Sequence, residues 1–261
     1  MFVIPSLSVS KILEGVKAFL RPDGVYEVIL LPKNPGNRFD KDVLAELSAS
    51  LLDAEAANPK ALLLSHEGEV FCLGGNLGDA RKQDAGSVRL FADRLSKVLL
   101  QIFYFPVPVI AAIEGDVEGG GVSLIQACDM AAAANTVRFG IPEMEAGMSP
   151  VISMSGARRV IPEKRMLKMA YLADRATAQE AENWGLITEA VLPGTARETC
   201  EAWIRSFTAK NPSSVSTIRR LRRDLDGGEF FRQINVAADI LPGNLLHKDT
   251  FAMLDRRDQG E

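Results

Sequence analysis

Apolar residues fall in short β-rich runs that alternate with stretches of helical spacing through the first half of the chain. Residues 25–31 (Val-Tyr-Glu-Val-Ile-Leu-Leu) read as a strand, and Lys33-Asn34-Pro35-Gly36-Asn37 as the turn that follows it. Over residues 40–57, Val43, Leu44, Leu47, Leu51 and Leu52 recur at helical spacing, which predicts an amphipathic helix. Residues 61–64 are a buried strand candidate, and Phe71-Cys72-Leu73-Gly74-Gly75-Asn76 leads into a helical region through Leu90, Leu95, Val98, Leu99 and Ile102. Residues 107–113 form another apolar strand ahead of Gly119-Gly120-Gly121, and the pattern then predicts a helix over 122–134. Strands alternating with helices need crossover connections, so the chain is expected to be α/β with a mainly parallel sheet. After residues 137–140 the spacing is helical at 159–171, 178–184, 197–208 and 213–225, broken by Pro193-Gly194 and Asn211-Pro212. Residues 1–200 are therefore read as an α/β core and residues 201–261 as a C-terminal helical segment.

Composition narrows the function classes. With 261 residues, 47% hydrophobic and 25% charged, the chain is long enough to bury a sizeable core. A formal net charge of −4 disfavours a general nucleic-acid binder, which needs a basic footprint. The local exception, Arg219-Arg220-Leu221-Arg222-Arg223, reads as a solvated helix face, with contact to an anionic ligand arm or to another subunit as the alternative. Cys72, Cys128 and Cys200 are odd in number, far apart and without metal-ligand spacing, so neither a disulfide framework nor a metal site is expected, and a reducing, cytoplasmic setting fits. Residues 1–10 lack the pattern of an export leader, and no apolar run reaches the roughly 20 residues that span a bilayer, so neither export nor membrane insertion is expected.

The candidate chemistry lies in two strand-to-glycine turns, Gly74-Gly75 and Gly119-Gly120-Gly121. Adjacent glycines suit places where something approaches the main chain closely, and the free N–H groups at a helix start favour an anion. An oxyanion site and a tight turn packed on a neighbouring element both fit these residues. Neither turn matches a phosphate-binding motif.

Several ordered motifs resemble the crotonase, or enoyl-CoA hydratase/isomerase, family. Phe71-Cys72-Leu73-Gly74-Gly75-Asn76-Leu77 is similar to its F-C-A-G-A-D-L, and Pro108-Val109-Ile110-Ala111-Ala112-Ile113-Glu114-Gly115 to P-V-I-A-A-V-N-G. Gly119-Gly120-Gly121 with Ala127-Cys128-Asp129 resembles G-G-G-x-x-L-x-x-x-C-D, and Phe139-Gly140-Ile141-Pro142-Glu143 with Gly147 and Pro150 resembles F-G-x-P-E-x-x-x-G-x-x-P. Ala178 to Ile187 is similar to A-x-E-A-x-x-x-G-L-V. The resemblance implies a spiral core of ββα repeats with a C-terminal helical trimerisation segment, and a homotrimer or hexamer. It implies an acyl-CoA or acyl-carrier-protein thioester as partner, coenzyme A entering only as part of the substrate, and no permanently bound cofactor. Carried over by position, the N–H groups of Gly75 and Gly120 form an oxyanion hole, and Leu73, Gly75, Asn76 and Leu77 line the coenzyme A side. Glu143 stands where hydratases of the family have one catalytic glutamate, whereas Ser123 stands where they have the other.

That departure bears on the reaction. Adding water to a 2-enoyl thioester suits two positioned acid/base groups, while shifting a double bond from the 3 to the 2 position needs one carboxylate to shuttle a proton. The expected reaction is therefore isomerase-like, with dehydration of a 3-hydroxyacyl chain on coenzyme A or a carrier protein, or a catalytically lapsed acyl-CoA-binding protein, as alternatives. Ser123 reads as a helix-start residue bonding local backbone, with a hydroxyl able to orient water. Glu118, Asp116, Glu145 and Asp79 read as solvated loop charges, Asp129 as structural, and His66 and His247 as surface or loop residues. Leu90, Met144, Met148, Met154 and Met169 read as core.

Overall fold

The computed structural model describes residues 11–157 and 159–259. The leader expected to be absent from residues 1–10 falls outside them. The chain opens with β1 (Lys11–Ile12), β2 (Val16–Leu20) and β3 (Val25–Leu30), then α1 (Lys41–Ala56), β4 (Ala61–His66), β5 (Cys72–Leu73) and α2 (Ala85–Phe103). Next come β6 (Val109–Ile113), β7 (Val117–Glu118), α3 (Gly120–Ala127), β8 (Met130–Ala134) and β9 (Arg138–Gly140). A 3₁₀ turn (Pro142–Ala146) leads to α4 (Val151–Ala157), α5 (Glu163–Leu172), β10 (Arg175–Thr177), α6 (Ala178–Trp184) and β11 (Glu189–Val191). The chain ends in α7 (Ala196–Thr208), α8 (Pro212–Leu245) and α9 (Lys248–Asp258).

The main sheet has the order β1-β2-β3-β4-β6-β8-β11 and is parallel from β3 onward. Its two faces follow from the period of two along each strand. Tyr26, Val28, Leu62, Leu64, Val109 and Ala111 point into the large core that includes α1 and α2, and Val25, Ala61, Leu63, Ile110 and Ala112 point at Ala196, Cys200 and Ile204 of α7. Covered on both faces, the central strands read as continuous apolar runs rather than alternating ones. A smaller sheet of order β10-β9-β7-β5 stands beside it, and its parallel strands β5 and β7 carry the two glycine turns at their ends. Local side chains start the helices: Asp40 accepts from the Asp42 and Val43 amides at α1, and Thr177 with Glu180 forms a capping box at α6.

Three expectations are corrected. The helix predicted over 122–134 stops at Ala127, and Met130–Ala134 is a strand. An alanine run has the highest helix propensity, but here the Asp129 amide bonds the Val109 carbonyl, the Asp129 carboxylate accepts from the Val109 amide, and Ile110 pairs with Met130. Sheet pairing outweighs propensity. The arginine cluster is only in part a solvated face: Arg220 is exposed, but Arg219 is 3% exposed and donates to the Ile102 and Phe105 carbonyls and to Asp129, which also accepts from Arg222. Asp129 is structural, as expected. His66 is half-buried at the end of β4, where its Nε2 accepts from the Glu114 amide and burial lowers its pKa. His247 is an exposed residue capping α9.

Two helices also differ in extent. The one predicted over 159–171 begins only at Glu163, after Pro162, and α8 runs 34 residues through Gly227, whose bare Cα lies under the Tyr104 ring. Helix α8 packs on α2 and α4 and leaves Ile218, Leu221 and Leu225 exposed. Among the described residues no helix is long and apolar enough to cross a membrane, and no group of His, Cys, Asp and Glu is placed to hold a metal. The three cysteines are buried and free.

Candidate functional site

Strands β5 and β7 lie side by side in register, Leu73 opposite Glu118, so the glycines that follow them are neighbours. Gly74 has φ +90° and Gly119 φ +51°, backbone states that side chains rarely adopt. A Cβ on Gly119 would lie 3.3 Å from the Gly74 Cα, and one on Gly74 would lie 3.5 Å from the Gly120 nitrogen. The two turns therefore meet backbone to backbone. A Cβ on Gly121 would come within 2.6 Å of the Cys72 carbonyl oxygen, so the third glycine is what seats α3 against β5.

Gly120 is the first residue of α3, where the N–H has no intrahelical acceptor. At the other turn, the Phe39 amide bonds the Gly74 carbonyl and the Asn76 amide bonds the Phe39 carbonyl, which turns the Gly75 amide away from that ladder. Among the described residues neither the Gly75 nor the Gly120 amide donates to a turn or loop acceptor. The Phe91 ring occupies the space a Gly75 side chain would need.

Glu143 is placed by the 3₁₀ turn, which Pro142 starts and Gly147, in the left-handed region at φ +70°, ends. Its carboxylate lies over the Gly119 backbone, since a Cβ there would be 3.1 Å from Glu143 Oε1. Ser153 Oγ on α4 donates to that same oxygen. Oε2 is buried with no hydrogen-bond partner. Burial pushes the Glu143 pKa up, the Ser153 hydrogen bond opposes the rise, and the Glu118 charge adds to it.

These groups line one cavity of about 320 Å³, whose walls include Leu73, Gly74, Gly75, Leu77, Phe91, Gly119, Gly120, Glu143, Met148 and Ser153. A row of residues crosses the small sheet along one side: Arg175 on β10, Gly140 on β9, Glu118 on β7 and Leu73 on β5. Because Gly140 has no side chain, Arg175 reaches over it and its Nε donates to Glu118 Oε1 at 2.6 Å. Arg38 donates to the Leu73 carbonyl at the far end of the row.

The expected site residues are not all brought to the cavity. Leu73, Gly75, Leu77, Gly120 and Glu143 line it, whereas Asn76 is exposed and accepts from the Gly78 amide. Ser123 is buried inside α3, is not among the lining residues, and its hydroxyl has no partner, so the local backbone bond expected of it does not form. Glu118 is no solvated loop charge: its side chain is 12% exposed in the cavity wall. Glu145 lies at the exposed rim, 3.5 Å from Arg175. Asp116 accepts from the Arg138 amide, and Asp79 caps a short 3₁₀ turn. Met148 packs on the core and also forms part of the cavity wall, Leu90 and Met144 are exposed, and Met154 and Met169 pack in or on the core. Ser153, Arg175 and Arg38 escaped the sequence reading because no spacing or periodicity ties them to the glycines or to Glu143.

The model of the enoyl-CoA hydratase/isomerase family matches residues 21–242. The enoyl-CoA isomerase/hydratase fer4 of Mycosarcoma maydis is 30% identical over 215 residues, covering 76% of this chain and 78% of that protein. The mitochondrial enoyl-CoA hydratase domain-containing protein 3 of Homo sapiens is 27% identical over 217 residues, 81% of this chain and 68% of that one. An enoyl-CoA hydratase from Bacillus halodurans superposes with a TM-score of 0.85 at 20% identity, over 93% of this chain and 99% of the other, which shows a common fold. An enoyl-CoA hydratase/isomerase from Xanthobacter autotrophicus Py2 does so at 0.83 and 25% identity, over 94% and 93%. With the family model matched across most of its length and the crotonase fold reproduced, this chain belongs to the enoyl-CoA hydratase/isomerase family.

Proposed function

We propose that the protein moves a double bond in an acyl-CoA thioester through an enolate, with Glu143 as the proton carrier. The observation that carries the reading is the free, buried Oε2 of Glu143 beside two glycine turns with unused amides. With the thioester oxygen between the Gly75 and Gly120 amides, negative charge that gathers there is stabilised by donors already in place, each worth about 2.7–4 kcal/mol in comparable sites. Glu143 takes the proton from the carbon next to the carbonyl, the electron pair moves into the enolate, and the same proton returns at the far end of the shifted double bond. Leu73, Gly75 and Leu77 form the coenzyme A side in the cavity wall, with the exposed Asn76 outside it. The exposed apolar row of α8, Ile218, Leu221 and Leu225, supports assembly into a homotrimer or hexamer.

A second reading, loss of water from a 3-hydroxyacyl chain on coenzyme A or a carrier protein, is favoured by one observation. Glu118 puts another carboxylate in the cavity wall where the position of Ser123 supplies none. Incubation with 3-enoyl-, 2-enoyl- and 3-hydroxyacyl-CoA in deuterated water, followed by mass spectrometry, separates these possibilities. Isomerisation is expected, with Glu143→Gln losing roughly 10²- to 10⁴-fold in rate. Dehydration faster than isomerisation would favour the second reading, and no conversion of any of these thioesters despite coenzyme A binding would overturn both.

A further inference from the structure

We infer that Ser153 is a positioning residue that makes Glu143 a one-sided proton carrier, pinning Oε1 and leaving Oε2 alone to meet the substrate. The inference rests on the proton-carrier role of Glu143 given above. Ser153 is 2% exposed, lines the cavity, and donates its hydroxyl to Glu143 Oε1, while Oε2 has no partner. A carboxylate with one oxygen bonded and the other free cannot turn about its Cγ–Cδ bond without breaking that bond, so the reacting oxygen keeps one direction throughout turnover.

Helix α4 is itself fixed to the oxyanion helix. Gln126 of α3 donates from Nε2 to the Ser153 carbonyl at 3.3 Å. A Cβ on Gly156 would lie 2.5 Å from Gln126 Oε1 and 3.1 Å from the Phe230 ring, so α4 sits tight on both α3 and α8. Gly120 heads the same α3. The path Glu143 to Ser153 to Gln126 therefore sets the proton carrier at a constant place relative to the oxyanion donors. Backbone supplies a less direct tie, the Gly119 amide before α3 bonding the Gly140 carbonyl three residues before Glu143, and among the described residues the 3₁₀ turn itself has no direct hydrogen bond to α3.

The hydrogen bond also favours the charged form of Glu143 against burial. The other charged groups around the same cavity are Glu118 of β7, Arg175 of β10, which pairs with Glu118 and Glu145, Arg38 before α1, and Arg257 of α9. All remain unaltered when Ser153 is changed, so a shift in the titration of Glu143 reports on the hydroxyl.

The test measures isomerisation of a 3-enoyl-CoA across pH by the intact protein and by its Ser153→Ala, Ser153→Thr and Glu143→Gln variants. For Ser153→Ala, kcat is expected to fall roughly tenfold or more with KM nearly unchanged, since positioning and not binding is lost. The limb of the pH profile set by Glu143 deprotonation moves to higher pH, and deuterium from solvent enters the product more often because the loosened carboxylate exchanges its proton before returning it. Ser153→Thr restores the hydroxyl and with it both the limb and the retention of the proton. Should alanine unfold the protein, Ser153→Cys, similar in size but a poor donor, takes its place in the comparison with threonine. An unmoved limb and unchanged proton retention in the alanine or cysteine variant would overturn the role of Ser153 while Glu143→Gln still inactivates. Full activity in Glu143→Gln would overturn the parent reading instead.

Discussion

The two ends of α3 solve the same problem in opposite ways. Every helix leaves unpaired N–H groups at its start and unpaired carbonyls at its end. At the start of α3, Gly119-Gly120-Gly121 offers no side-chain cap, and Gly120, whose amide has no turn or loop acceptor, lines a cavity. At its end, Arg222 donates to the Ala127 and Cys128 carbonyls, and Asp129 gathers Arg219 at 2.6 Å and Arg222 at 2.9 Å. Cations suit a helix C-terminus, where the peptide dipoles leave partial negative charge. The closed end secures α3 to the core, so the open end can stay unsatisfied without the helix shifting. A site for a developing anion is thus maintained by charges placed at the opposite end of the same helix.

Breaking the closed end should have the largest effect. Arg219→Ala strips one donor each from Asp129 and from the Ile102 and Phe105 carbonyls, and it is expected to cost about 3–5 kcal/mol in unfolding free energy. Denaturant titration reads this directly, and a loss below 1 kcal/mol would show the arginine cluster to be incidental. At the open end, Gly121→Ala drives a Cβ against the Cys72 carbonyl and is expected to cost about 1–3 kcal/mol. Because the strain pushes α3 from β5, kcat/KM should fall further than the stability loss alone accounts for, and unchanged kinetics in a folded variant would separate α3 packing from the site.

The smallest effect sharpens the comparison through pH. Burial holds the folded-state pKa of Glu143 above its ordinary value, so the native state binds the proton more tightly than the unfolded chain. The stability tied to that proton is complete below the unfolded pKa and is lost as pH rises through the folded one. Glu143→Gln removes the loss. Its melting temperature should match that of the parent near pH 4 and exceed it near pH 7, and equal melting temperatures at both would show that the carboxylate is not penalised by burial. Stability gained where activity is lost is the usual mark of a functional group held at a cost.

Much of the fold was legible because its signals are local. The apolar runs at β3, β4 and β6, the spacing of α1 and α2, and the turn residues between them rest on period and burial alone. The alanine run of β8 was misread for the complementary reason: its identity as a strand comes from pairing with β6 and from Asp129, neither of which local propensity contains. Arg219 and Arg222 went the same way, since a cluster of arginines looks solvated until the carbonyls of Ile102, Phe105 and Cys128 are placed beneath it.

The candidate site divides similarly. The sequence alone determined the two glycine turns, because strained backbone demands glycine, and it pointed to Glu143 through the resemblance of Phe139-Gly140-Ile141-Pro142-Glu143 to the family's motif. It also determined that Ser123 brings no carboxylate. Only the tertiary structure decided that Gly74 and Gly119 touch, that Ser153 takes one oxygen of Glu143, and that Arg175 reaches across Gly140 to set Glu118 in the cavity wall. These contacts join residues 10 to 57 positions apart through strand register and helix packing. Their physical cause is the arrangement of the sheets in space, which no local pattern of residues contains.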